Sequence, residues 1–148
     1  MEHKLLFDSG LNQLAAAHNA DVLSYCEAVI SSHGHIDHAG GLLSIRKKMN
    51  AKQKIPLILH EHAFRKRLVK FQDGRMISLP PPTRHLLIQA GNNIVEQDAS
   101  SLWIKDSILV TGEVPRTTDF EKGFPNHYSE IDGKMENDPL IKDDQAII

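Results

Sequence analysis

The chain has almost no cysteine, few aromatic residues and no long apolar run, and each shortage removes a class of protein. One cysteine among 148 residues cannot close an internal disulfide, so a disulfide-stapled scaffold is excluded. Cys26 lies near Leu23, Ala28 and Val29 and reads as a small buried hydrophobe, with nothing beside it to lower a thiol pKa. No stretch reaches the roughly 18 apolar residues of a membrane helix. Met1-Glu2-His3-Lys4 does not lead into a signal-peptide pattern, so the expected location is cytoplasmic, with no membrane partner. Charge of one sign is also not in excess. Lys and Arg number 17 against 19 Asp and Glu, a net charge of -2, which gives no reason to expect nucleic acid as a partner. The composition, 41% apolar and 24% charged, is that of an ordinary globular protein of one domain, long enough to bury a core.

Against this plain background one stretch stands out, Ser31-Ser32-His33-Gly34-His35-Ile36-Asp37-His38-Ala39-Gly40-Gly41. It follows the apolar run Ala28-Val29-Ile30 and precedes a helical pattern, so strand, loop and helix succeed each other without a spacer. Side chains two apart in an extended segment point to the same side, so His33 and His35 can converge on one metal ion. Asp37 and His38 come where the chain turns into the helix and can face a second ion. Imidazole and carboxylate suit zinc, the default for nitrogen-rich sets, with iron or manganese as alternatives.

His33-Gly34-His35-Ile36-Asp37-His38 resembles the His-x-His-x-Asp-His signature of the metallo-β-lactamase fold superfamily, and Phe7-Asp8-Ser9-Gly10 resembles its preceding Asp-bearing strand end. The runs His60 to Arg67 and Thr111 to Glu121 are similar to one branch, which includes an archaeal enzyme acting on a dihydropterin and a ribofuranosyl aminobenzene phosphate, beside many metal-dependent hydrolases. The resemblance implies an α/β fold, the αβ/βα sandwich, of which this chain carries mainly the first αβ half. It implies two zinc ions, with His33 and His35 on the first, Asp37 and His38 on the second, and Asp37 also orienting a metal-bound hydroxide that attacks an ester, amide, thioester or phosphoester. Asp8 is then the residue that orients a ligand histidine; as a local feature alone it caps the following helix. Family members have strands before the Phe-Asp-Ser-Gly segment and a second half with further histidines. The expectation is therefore a partial domain over residues 1–148, completed by a homodimer or a separate second-half chain, because a lone first half would expose the apolar face of its sheet.

Along the rest of the chain, residues 12–18 read as a helix, and Leu42, Ile45 and Met49 as the buried face of another, with Arg46, Lys47 and Lys48 on its solvent side. Pro56-Leu57-Ile58-Leu59 is a strand, and 63–68 a short basic helix. This strand and helix alternation through residue 79 predicts parallel or mixed sheet with right-handed crossovers. Pro80-Pro81-Pro82 marks a boundary within the domain. Residues 83–90 then read as a helix; 94–96, 102–104 and 108–110 as strands; and the segment after Val114 as a long loop. In the family the equivalent insert lies near the active-site mouth, which makes Glu113, Arg116, Phe124, His127 and Tyr128 candidate contacts for a small-molecule substrate. His60 is a further candidate, although His60 and His62 also read as a surface or hydrogen-bonded pair. Three functions fit: a metal-dependent hydrolase, a pterin-linked synthase of the same fold, and a non-catalytic metal-binding module.

Overall fold

The computed structural model describes residues 3–49 and 54–148. A parallel four-stranded sheet, in the order β1-β2-β3-β6, is built from β1 (Leu5–Phe7), β2 (Ala28–Ile30), β3 (Ile55–His60) and β6 (Asn92–Gln97). The crossovers carry α1 (Gln13–Leu23) between β1 and β2, then α2 (Ile36–Ala39) and α3 (Leu42–Lys48) between β2 and β3. Successive residues of the central strands alternate between two apolar layers. Val29, Leu57 and Leu59 pack with Ala16, Ala20, Leu42 and Ile45 from the helices and with Met49 just after α3. Ala28, Ile30 and Ile58 pack on the opposite side with Val110, Trp103 and Ile147. Strands covered on both faces are the reason these runs are apolar without alternation.

That second layer corrects one expectation. The sheet face away from the helices is closed, with Ile30 and Ile58 both at 0% exposure. A hairpin of β7 (Ser101–Trp103) and β8 (Ile108–Val110) lies over it, extended by residues 146–148, where Leu109 and Ile148 exchange both backbone bonds at 2.9 Å.

A second four-stranded sheet, antiparallel and in the order β10-β9-β4-β5, contains β4 (Arg67–Lys70), β5 (Met76–Leu79), β9 (His127–Ile131) and β10 (Lys134–Asn137). It overturns two expectations. Residues 63–68 are not a helix: a single 3-10 turn, Glu61–Phe64, leads into β4, which returns through a turn at Asp73-Gly74 to β5. The segment after Val114 is not one long loop either. Asp132 and Gly133, both at positive φ, make the two-residue turn that suits right-twisted strands and joins β9 to β10. The helix at 83–90 is present as α4 (Arg84–Gln89), and α1 runs further than the residues 12–18 expected. Arg46 is a fourth correction. It is 2% exposed, and its guanidinium donates to the carbonyls of Met49 and Gly91, so only Lys47 and Lys48 occupy the solvent side of α3. Cys26 is buried as expected, and burial pushes its thiol pKa up despite Arg46 nearby.

Ile58 contacts the closed layer from the middle of the sheet. Ile58→Ala is expected to lower unfolding free energy by about 2–5 kcal/mol. Ile77→Ala, in the exposed strand β5, should change it by less than about 0.5 kcal/mol. Urea denaturation of both variants checks the contrast.

Candidate metal centre

The histidine-rich loop is gripped from three directions by residues distant in the chain. At its start, Asp8 ends β1 in a left-handed conformation (φ 61°) and turns its carboxylate onto the loop. Oδ1 accepts the Ser32 N–H at 2.7 Å, while Oδ2 accepts the Ser32 hydroxyl at 2.8 Å and His38 Nδ1 at 2.8 Å. At its end, the His38 carbonyl accepts Ser9 N–H and Ser9 Oγ–H, which ties the first turn of α2 to the Asp8-Ser9-Gly10 segment. From the far end of the chain, Gln145 donates its amide to the Ser31 carbonyl at 2.8 Å, and Asp143 Oδ2 accepts the Gly34 N–H at 2.7 Å. Asp143 is itself held by Arg67 at 2.6 Å, both side chains being 1% exposed. Burial raises the Asp143 carboxyl pKa, but Arg67, the Gly34 N–H and His33 outweigh it and hold the group below the usual carboxylate range. Gly34 leaves no alternative residue: a Cβ there would lie 2.0 Å from the Ala63 carbonyl oxygen.

These anchors set which nitrogen of each ring carries a proton and which is left free to bind metal. The Ser32 hydroxyl gives its proton to Asp8, so at 3.0 Å it accepts from His33 Nδ1–H and leaves Nε2 of His33 as a bare lone pair. His38 gives its Nδ1 proton to Asp8 and likewise presents Nε2, which stands 3.7 Å from Asp37 Oδ2. His33 Nε2 faces His35 Nδ1 at 2.9 Å. The His33 and His38 rings are 4.1 Å apart between centroids, so the two donor pairs are neighbours. Burial, followed by the neighbouring His38, lowers the His33 pKa; burial and then His33 push that of His35 down to about 3. Both rings are therefore neutral near pH 7, the form that coordinates metal. Among the described residues no three or more His, Cys, Asp or Glu side chains converge on one point, and the donors stand in pairs.

The other site candidates divide. Arg116 is close: it pairs with Asp144, whose Oδ1 is 3.9 Å from His33 Nδ1, and with Glu121 at 3.5 Å. Glu113 is exposed, and its backbone N–H reaches the Asp98 carbonyl. His60 is 1% exposed and uses Nδ1 to accept the His62 N–H at 3.1 Å, which caps the 3-10 turn. His127 is buried beside His35, with the two Nε2 atoms 2.5 Å apart. Reading the sequence placed His127 among substrate contacts and gave no role to Arg67, Asp143 or Ser32. The Asp132-Gly133 hairpin signal could have located His127 at the start of a strand; no local pattern could have paired Asp143 with Gly34.

The family profile described as Beta-lactamase superfamily domain matches residues 3–100, which include Asp8 and the whole loop. The chain belongs to the beta-lactamase superfamily. Uncharacterized protein MJ0448 of Methanocaldococcus jannaschii is 30% identical over 149 residues, covering 98% of this chain and 54% of that protein. The crystal structure of Tm1679, a metal-dependent hydrolase of the beta-lactamase superfamily, superposes with a TM-score of 0.70 at 22% identity, over 97% of this chain and 50% of that one. A B3 metallo-beta-lactamase with an active-site glutamic acid aligns at a TM-score of 0.44 and 16% identity, over 72% of this chain and 40% of its own. This superfamily member thus spans about half the length of the first two relatives it matches. The α/β fold expected from the histidine motif is the fold observed.

Arg67 and Asp143 make the loop's deepest anchor. Arg67→Met leaves a buried carboxylate without its cation and is expected to cost about 3–5 kcal/mol of stability. Adding Asp143→Asn, which keeps an acceptor for the Gly34 N–H, should restore a large part. Thermal melts of the single and double variants read both effects.

Proposed function

We propose that the loop from His33 to His38 is the metal-binding element of a metal-dependent hydrolase of the beta-lactamase superfamily acting on a small molecule. The observation that carries this reading is the pairing of donors: His33 Nε2 with His35 Nδ1 at 2.9 Å, and His38 Nε2 with Asp37 Oδ2 at 3.7 Å, in neighbouring positions. The donor chemistry fits zinc, with two neutral imidazoles at one position and an imidazole with a carboxylate at the next. Tm1679, which shares the fold, is a metal-dependent hydrolase, and this supports the reading from outside the chain.

A bound ion at these positions supplies Lewis acidity toward a carbonyl or phosphoryl oxygen and makes water acidic near neutral pH. The residues do the rest. Asp8 holds His38 in the Nδ1–H form, and Ser32 does the same for His33. Asp37, its side chain 64% exposed beside His38 Nε2, is the carboxylate we assign to orient an attacking water. Arg116, anchored on Asp144 beside His33, is the cation available to an anionic substrate group. Catalytic zinc takes three protein ligands, whereas among the described residues each position has two. We propose that the remaining donors come from beyond these residues, in a longer polypeptide, a second copy or a separate chain, so that activity belongs to the assembled site.

Zinc titration by calorimetry tests this directly. Wild type should bind zinc, and His35→Ala and His38→Ala should each weaken binding by more than about 100-fold, beyond the 10–100-fold effect of losing an outer partner. Turnover of p-nitrophenyl acetate or bis-p-nitrophenyl phosphate by a zinc-loaded oligomer should stop on chelation. Zinc uptake unchanged in both variants would remove the assignment.

A further inference from the structure

His127 is the group that the hydrolase reading does not use. It opens β9, and everything around it fixes its position. Its backbone N–H donates to the Phe124 carbonyl at 3.0 Å, and its own carbonyl accepts from Asp138 N–H and Asn137 Nδ2, each at 2.9 Å. Its ring Nδ1 is 3.0 Å from the Asp138 carbonyl, an acceptor only, so Nδ1 carries the proton and Nε2 is bare. The ring is 1% exposed, and that bare Nε2 points at Nε2 of His35, 2.5 Å away, with the rings edge to face at 81°. The register of the antiparallel sheet accounts for the placement. His127 lies opposite Val69 and Ser129 opposite Arg67, so one face of the sheet delivers Arg67 to the Asp143–Gly34 anchor and His127 to the next residue, His35.

Three rings therefore stand in a row, with two nitrogen-to-nitrogen gaps, His33 to His35 and His35 to His127. The outer rings have each committed their proton outward, His33 to Ser32 and His127 to Asp138. When all three are neutral, only the proton of His35 remains for two gaps, and the other gap holds two opposed lone pairs that call for a cation. Distance decides which gap takes which. Two nitrogens bound to zinc at 2.0–2.1 Å in a tetrahedron lie about 3.3 Å apart. The 2.9 Å gap between His33 and His35 needs to open by a few tenths of an ångström, whereas the 2.5 Å gap to His127 would need twice that in a buried, doubly pinned strand.

We propose that His127 is a positioning residue that accepts the Nε2 proton of His35, holding Nδ1 of His35 bare toward His33 so that the two rings present a preformed donor pair. The metal-affinity part of this rests on the hydrolase reading; the tautomer of His35 does not. Partners of this kind typically change metal affinity by 10–100-fold.

Long-range nitrogen-proton NMR of the metal-free protein at pH 8 reads the tautomer of His35. Wild type should show His35 protonated at Nε2, and His127→Ala should convert it to a mixture of tautomers. His127→Gln, whose amide oxygen can accept the same proton, should restore the wild-type pattern, and it also controls for misfolding because it keeps a polar side chain of similar reach. Zinc calorimetry on the same samples should give about 10–100-fold weaker binding in His127→Ala and near wild-type binding in His127→Gln. Wild-type His35 protonated at Nδ1, or a tautomer and zinc affinity both unmoved in a folded His127→Ala, would overturn the proposal while leaving zinc binding by the loop intact. The expected tautomers in a protein that takes up no zinc would support the positioning role and remove the hydrolase reading instead.

Discussion

The site depends on acceptors and donors outside it that have already claimed one nitrogen of each ring. Asp8 takes protons from Ser32 and His38, and Ser32 in turn accepts from His33. With those nitrogens engaged, the opposite nitrogens of the neutral rings can only offer lone pairs. A loop of the same composition without these partners would sample several tautomers and ring orientations, and any ion would have to bring about the order that the fold supplies here.

The same economy explains the architecture. The parallel sheet places the end of β1 beside the end of β2, so Asp8 meets Ser32 across one strand spacing. Functional loops at the carboxyl ends of parallel strands follow from this geometry. The antiparallel sheet covers the loop from the other side, and Arg67 on β4 carries the buried ion pair that holds Asp143 on Gly34. Burying a charge pair is costly. Its return is positional: the Gly34 amide, between the two histidines, becomes a fixed point rather than a hinge.

Much of the first half of the site was legible in the sequence. His33, His35, Asp37 and His38 lie within one strand-to-helix passage, and local spacing is enough to predict that their side chains come close together. The same is true of the Leu42, Ile45 and Met49 helix face and of buried Cys26. What could not be read is long-range. His127 is 92 residues from His35 and meets it only through the register of the antiparallel sheet, and Asp143, in a turn 109 residues from Gly34, is brought there by its pairing with Arg67. Two of the departures carry local signals. The Asp73-Gly74 and Asp132-Gly133 turns are hairpin signals, and giving them more weight would have replaced a basic helix and a long loop by strands. Arg46 was misplaced for another reason: helical periodicity gives a face, and it cannot tell that Gly91 and Met49 offer carbonyls to a cation on the inner edge.

The central claim is that the paired lone pairs of this loop hold metal. Anomalous diffraction at the zinc edge, from crystals of the chain grown with zinc, tests it most directly. One peak is expected between His33 Nε2 and His35 Nδ1 and a second between His38 Nε2 and the Asp37 carboxylate, with His127 not bound to either ion. Zinc bound elsewhere on the surface, with the His33–His35 gap closed and free of metal, would contradict it.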